Sequence, residues 1–186
     1  MPWGAVARLG ICLFAAGVSA ARADEGERAF RAARYEVSAP LLLRGARSGR
    51  AVDQAYLGYS YQYGLGVPKS YEEAATWYVC AAEQGEPHAQ FFLGQLYDRG
   101  QGVAENPVEA GKWLDLAAAH APADSREHWA AMRDIIGGKM TLDQLAEARR
   151  RAVAWAPSYA CAYVSQREDL DLPTHKYSRR EADGER

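Results

Sequence analysis

The residues best suited to chemistry are a glycine-rich turn, four histidines and a pair of cysteines. The turn Gly64-Leu65-Gly66-Val67-Pro68-Lys69-Ser70 ends like a phosphate-binding loop. Such a loop needs four residues between its glycines, a glycine before the lysine and a strand leading in. Here Pro68 precedes Lys69, and the residues upstream read as a helix. The second copy of the segment has Glu105-Asn106 in place of Lys69-Ser70. The segment therefore reads as a structural turn. His88, His120, His128 and His175 make no H-E-x-x-H pattern and join no Cys-x-x-Cys pair, so they read as exposed histidines rather than metal ligands. The carboxylates are scattered along helix faces, and no nucleophile–base set can be nominated. The expectation is a non-enzymatic chain with no catalytic residue, metal or cofactor.

Composition narrows the partners. The formal net charge is -2, with 22 Lys and Arg against 24 Asp and Glu. That balance argues against nucleic acid, which demands a basic face to neutralise phosphates. A hydrophobic fraction of 48% is ordinary for a soluble fold with a buried core.

The first residues read as an export signal. Arg8 is the only charged side chain before Arg22, and an apolar run, Leu9 to Val18, lies between them. The run is shorter than the roughly 20 apolar residues a bilayer span needs. Ala21-Arg22-Ala23 offers an A-x-A cleavage site before Asp24, and Val18-Ser19-Ala20 offers a second. The expectation is a periplasmic or secreted protein with no membrane span in the mature chain. Cleavage would remove Cys12 and leave Cys80 and Cys161. In an oxidising compartment an even pair can form a disulfide. Two unrelated buried thiols are the other reading, and the sequence leaves both open.

What positions these residues is a repeat. Leu57-Gly58-Tyr59-Ser60-Tyr61-Gln62-Tyr63-Gly64-Leu65-Gly66-Val67 returns 36 residues later as Leu93-Gly94-Gln95-Leu96-Tyr97-Asp98-Arg99-Gly100-Gln101-Gly102-Val103. The offset continues through Ala74 and Ala110, Trp77 and Trp113, and Ala81-Ala82 and Ala117-Ala118. Backwards, it puts Tyr35-Glu36 on Tyr71-Glu72. Each repeat reads as two helices, over 52–63 and 70–84 in the first copy and over 88–99 and 106–120 in the second. Ser70 with Glu73 and Asn106 with Glu109 are N-terminal capping pairs, and Pro107 fits the first helical position. Gly58 and Gly94 invite close approach by the paired helix. A further helix is expected over 124–136. Thr141 with Gln144 starts another, whose face of Leu142, Leu145, Ala148, Ala152 and Trp155 would lid the hydrophobic end.

The pattern A-x-x-x-L-G-x-x-Y-x-x-G-x-G-V followed by A-x-x-W-Y/L-x-x-A-A resembles the Sel1-like repeat, a relative of the tetratricopeptide repeat. The resemblance covers about residues 26–156. It departs from the pattern in the first half-repeat, where Pro40 and Leu41 stand in place of Thr76 and Trp77. It implies an all-α, right-handed α-solenoid with a C-terminal capping helix. The expected organisation is a signal peptide at 1–23, a capping half-repeat at 24–51, repeats at 52–87 and 88–121, capping helices at 122–156 and a polar, disordered tail at 157–186. The resemblance also implies a scaffold or regulator binding a protein or peptide on the first helices of the repeats. By position, the groove residues would be Ala55, Tyr59, Gln62 and Tyr63, then His88, Phe91, Gln95, Asp98 and Arg99. Tyr61 and Tyr97 read as packing residues, and Tyr59, Tyr63 and Phe91 suit packing between neighbouring helices as well as the groove. Cysteine-rich relatives that bind β-lactam or cell-wall compounds suggest an alternative, but this chain lacks their regularly spaced cysteine pairs. A structural subunit of an envelope assembly is a third reading.

Overall fold

The helices Tyr71–Glu83, Pro87–Arg99, Pro107–Ala119 and Leu142–Ala154 begin where a side chain settles the first backbone N–H groups. The structure, a computed structural model, describes residues 25–159 and residue 161, so the signal-peptide segment and most of the polar tail lie outside the described residues. The described residues form eight helices and no strand: α1 over 25–31, α2 Tyr35–Arg47, α3 Ala51–Tyr63, α4 Tyr71–Glu83, α5 Pro87–Arg99, α6 Pro107–Ala119, α7 Arg126–Gly137 and α8 Leu142–Ala154. Ser70 Oγ accepts from the Glu73 N–H at the start of α4. Asn106 Oδ1 accepts from Val108 and Glu109, with Pro107 opening α6. Thr141 and Gln144 complete a reciprocal capping box on α8. Glu86, which the sequence did not single out, caps α5 by accepting from Ala89 N–H at 2.6 Å. Helix α2 runs through Pro40, an exposed position, although proline removes one ladder bond there.

The 36-residue offset is carried by helices of equal length. Helices α3 and α5 both have 13 residues and correspond position by position, as do α2, α4 and α6. Their core contains Leu42, Leu57, Trp77, Tyr78, Leu93 and Trp113, all nearly or fully buried. A second cluster of Phe91, Leu114, Trp129 and Ile136 joins α5 and α6 to α7. Gly58 and Gly94 let helices meet: a Cβ there would come within 2.7 Å of the Tyr78 ring and of Leu114, respectively. Val67 plugs the turn after α3 and is buried, while Leu65 is half-buried.

Two glutamines join successive repeats. The buried side chain of Gln54 donates to the carbonyl of Ala46 at 3.0 Å, and Gln90 repeats the contact with Ala82 at 3.2 Å. Each adds a second donor to a carbonyl in the last turn of the preceding helix, which also accepts from the N–H of Gly49 or Gly85. Gln90→Ala would remove that side-chain donor and leave the Ala82 carbonyl with its backbone bond from Gly85 at 2.9 Å. We expect a loss of about 0.5–1.5 kcal/mol in urea unfolding, with the slope of the transition unchanged.

Helix α8 closes the stack with part of its expected face. Ala148 is fully buried, and Ala152 and Trp155 pack on the core. Leu142 does not join them: it is 85% exposed, at the first turn of the helix. After α8 the chain returns to α4 as a strap. Trp155 Nε1 donates to Glu83 Oε2 at 3.2 Å, and Ser158 N–H donates to the Glu83 carbonyl at 2.7 Å. Cys161 is disulfide-bonded to Cys80, with Cα atoms 5.2 Å apart, within the usual range for a bridge. The start of the segment expected to be a polar tail is thus docked structure.

Candidate groove on the first-helix face

Helices α1, α3 and α5 present one face of the stack, and a cavity of about 370 Å³ opens on it. That volume is near the lower end for ligand pockets. Phe30 of α1, Tyr56 and Tyr59 of α3 and Phe92 of α5 are its aromatic lining, with Val52 and Ala55 beside them. The rings support one another. Phe30 lies 4.9 Å from Tyr56 and 5.9 Å from Tyr59 between centroids, and Tyr59 lies 5.3 Å from Phe92. Behind Phe92 stacks the buried Tyr78, whose hydroxyl donates to Gln62 Oε1 at 2.8 Å. Burial raises the Tyr78 phenol well above its ordinary value, so it remains a donor.

Each rim of the cavity carries a carboxylate paired with a cationic or titratable partner. At one rim Arg31 Nε donates to Tyr56 Oη and Tyr56 Oη donates to Glu27 Oε1, both at 3.3 Å, while Arg31 pairs with Glu27 at 2.6 Å. Burial raises the Tyr56 phenol, with the Arg31 hydrogen bond opposing the shift. Burial also raises that of Tyr59. At the other rim His88 Nδ1 lies 3.1 Å from Glu86 Oε1, and the imidazole meets the edge of Trp129 at 5.1 Å. The Glu86 hydrogen bond raises the His88 pKa; partial burial opposes it, and the charges of Glu86 and Asp124 add to it. A raised folded-state value means that the pair's contribution is full below about pH 6.5, the unfolded imidazole value, and is lost as pH rises through the folded value. The His88 ring protons should therefore titrate above 6.5 by NMR and move back towards it in Glu86→Gln. An unshifted titration in the native chain would contradict the pairing.

The residues expected in the groove divide. Tyr59 and His88 line the cavity, and Ala55, although buried, reaches it. Tyr63 is half exposed beside Tyr59, at 4.4 Å between centroids. Gln95 is half-buried and Arg99 is exposed on the same helix. Asp98 is taken up by Lys139 at 3.0 Å, which ties α5 to the turn after α7. Two expectations are corrected. Gln62 is 4% exposed and bonded to Tyr78, inside the repeat. Phe91 is 4% exposed and stacks on Trp129 at 4.8 Å, in the core that holds α7. Tyr61 is buried, and Tyr97 is half-buried against the core. The sequence reading missed Phe30, Tyr56 and Phe92. The repeat carried a signal for the last two, since Phe92 stands at the 36-residue equivalent of Tyr56.

Stacked antiparallel helix pairs at a fixed offset, with first helices along one face, define an α-solenoid repeat protein. The chain carries two Sel1 repeats: the Sel1 repeat model matches residues 51–86 and 87–121. It is similar in structure to a protective antigen present in uropathogenic Escherichia coli strains that displays an SLR fold, with a TM-score of 0.67 and 29% identity, over 82% of this chain and 33% of that one. It is also similar to a Sel1 repeat protein from Oxalobacter formigenes, with a TM-score of 0.56 and 32% identity, over 72% of this chain and 56% of that one. The chain thus spans a third to just over half of the length of these proteins. No curated protein matches it in sequence. Sel1 repeats generally form non-catalytic scaffolds that mediate protein interactions. No helix among the described residues is long and apolar enough to cross a membrane.

Proposed function

We propose that the chain is an exported, non-enzymatic scaffold or regulator of the bacterial cell envelope that binds an extended segment of another protein across the α1–α3–α5 face. The observation that carries this reading is the preformed cavity lined by Phe30, Tyr56, Tyr59 and Phe92. Rigid aromatics offer a large contact area with little rotamer entropy to lose, and such residues concentrate binding energy at protein interfaces. The paired charges at both rims leave an apolar floor between polar edges, the arrangement of an interface core and its rim. Export is supported by the apolar run before Ala23.

The test is photocrosslinking in the native envelope from p-benzoylphenylalanine placed at Tyr63, followed by identification of the adduct and binding with the purified partner. Tyr59→Ala with Phe92→Ala should weaken that binding at least 100-fold, about 2.8 kcal/mol at 1.4 kcal/mol per decade, with helical content retained. An adduct whose purified partner binds the double variant as well as the native chain would remove the groove from the mechanism.

A further inference from the structure

We infer that the thiol–disulfide state of Cys80 and Cys161 regulates the groove, through the strap that holds the α4–α5 turn. The binding consequence rests on the groove reading above; the structural coupling does not. The strap touches α4 at its last turn. Trp155 and Ser158 hold the side chain and the carbonyl of Glu83, and the Trp155 ring covers Gly85, lying 3.5 Å from where a Cβ would sit. Glu86 follows at once, capping α5, and with His88 it forms one rim of the cavity. Two residues, Gln84 and Gly85, therefore separate the strap's anchor from the groove.

The bridge is accessible from one side. Cys80 is 2% exposed, whereas Cys161 is partly exposed. A dithiol reductant would attack Cys161 Sγ with one thiolate, forming a mixed disulfide and expelling the Cys80 thiolate, which takes up a proton. Its second thiolate would then attack the reductant's own sulfur in that mixed bond, releasing Cys161 as a thiol and leaving the reductant as a disulfide. Two electrons and two protons pass to the protein. Once the covalent link is gone, one hydrogen bond to α4, from Ser158 N–H to the Glu83 carbonyl, remains to order the segment beyond Trp155, while Trp155 keeps its packing on the core. That bond is worth less, net, than the entropy of fixing a residue's backbone and side chain. The segment beyond Trp155 then leaves, and the Glu83 carbonyl loses its Ser158 donor. The turn remains tied to α3 through Gln84 Nε2 and Gln54 Oε1, at 2.7 Å, so the rim loosens while the repeat stays folded.

Hydrogen exchange read by mass spectrometry on the full chain tests this in three states: oxidised, reduced with dithiothreitol, and Cys161→Ser. The amides of Gly85, Glu86, His88 and Ala89 should exchange at least tenfold faster in the last two states, while those of α3 stay protected. Ser158→Pro keeps the bridge but deletes one strap donor, and should give an intermediate rise. The crosslinker at Tyr63 supplies the binding readout, with adduct yield falling about fivefold on reduction. Unchanged exchange at 85–89 after reduction, with the strap released, would overturn the inference. Faster exchange there with no adduct in either redox state would keep the coupling and sink the groove reading instead.

Discussion

Gly102→Ala should destabilise the chain by about 3 kcal/mol or more, whereas Gly49→Ala should cost only about 1–2 kcal/mol. Both glycines have left-handed backbones, with φ of 70° at Gly102 and 89° at Gly49. An L-residue at either position carries the conformational cost of that region. The difference lies in what a Cβ would meet. At Gly49 there is nothing within 4 Å. At Gly102 the Cβ would overlap the Tyr71 carbonyl and the Glu72 amide, backbone atoms that cannot rotate away. Relief requires moving the N-terminal end of α4 from the turn after α5, and overpacking of this kind adds about 1–3 kcal/mol. Gly66 repeats the contact against the backbone of Tyr35 and Glu36, so Gly66→Ala should behave like Gly102→Ala. Urea unfolding of the three variants is the measurement. Equal losses for Gly49→Ala and Gly102→Ala would show that the close approach adds nothing. The second glycine of each turn thus docks one repeat onto the start of the preceding second helix. That backbone contact helps to fix the spacing of the stack, independently of side-chain packing.

The parts of the fold that were legible are those written in local chemistry or in repetition. Caps at Ser70, Asn106 and Thr141 use side chains adjacent to the groups they satisfy. The 36-residue offset appears because the same contacts recur. The groove was less legible because each misplaced residue is decided by a distant partner. Gln62 looks like a groove amide until Tyr78 arrives from the facing helix. Asp98 looks like a ligand-binding charge until Lys139 closes on it from 41 residues away. Phe91 and Phe92 differ by one step, about 100° around a helix, and Trp129 of α7 settles which of them is core. In the first repeat the same two positions hold Ala55 and Tyr56, so the small residue marks the inward side. Pro40 shows the converse, a local rule against proline inside a helix that packing overrides. At an exposed position the packing of Ser38, Ala39, Leu42 and Leu43 carries α2 through it.

Loss of the Cys80–Cys161 bridge should lower stability by roughly 4 kcal/mol in the chain-entropy account of cross-links, with about 2–5 kcal/mol as the range for native disulfides. The size follows from the loop. The cysteines are 81 residues apart, and that loop contains α5, α6, α7 and α8. In the unfolded chain the bridge therefore restrains more than one helix pair at once. At several degrees per kcal/mol, the reduced chain should melt about 15 °C lower than the oxidised one. The variant Cys80→Ala with Cys161→Ser should match the reduced native chain, because Cys80 is buried and alanine replaces a small apolar group. Calorimetry under oxidising and reducing conditions separates the covalent contribution from the strap's contacts. Trp155→Ala in the oxidised chain removes the contacts with Glu83 and Trp113 while keeping the loop closed. If the bridge acts through the unfolded state, its effect and that of Trp155→Ala add. If it acts only by holding the strap in place, Trp155→Ala removes most of the difference between oxidised and reduced chains, and the double-mutant arithmetic reads which of the two operates.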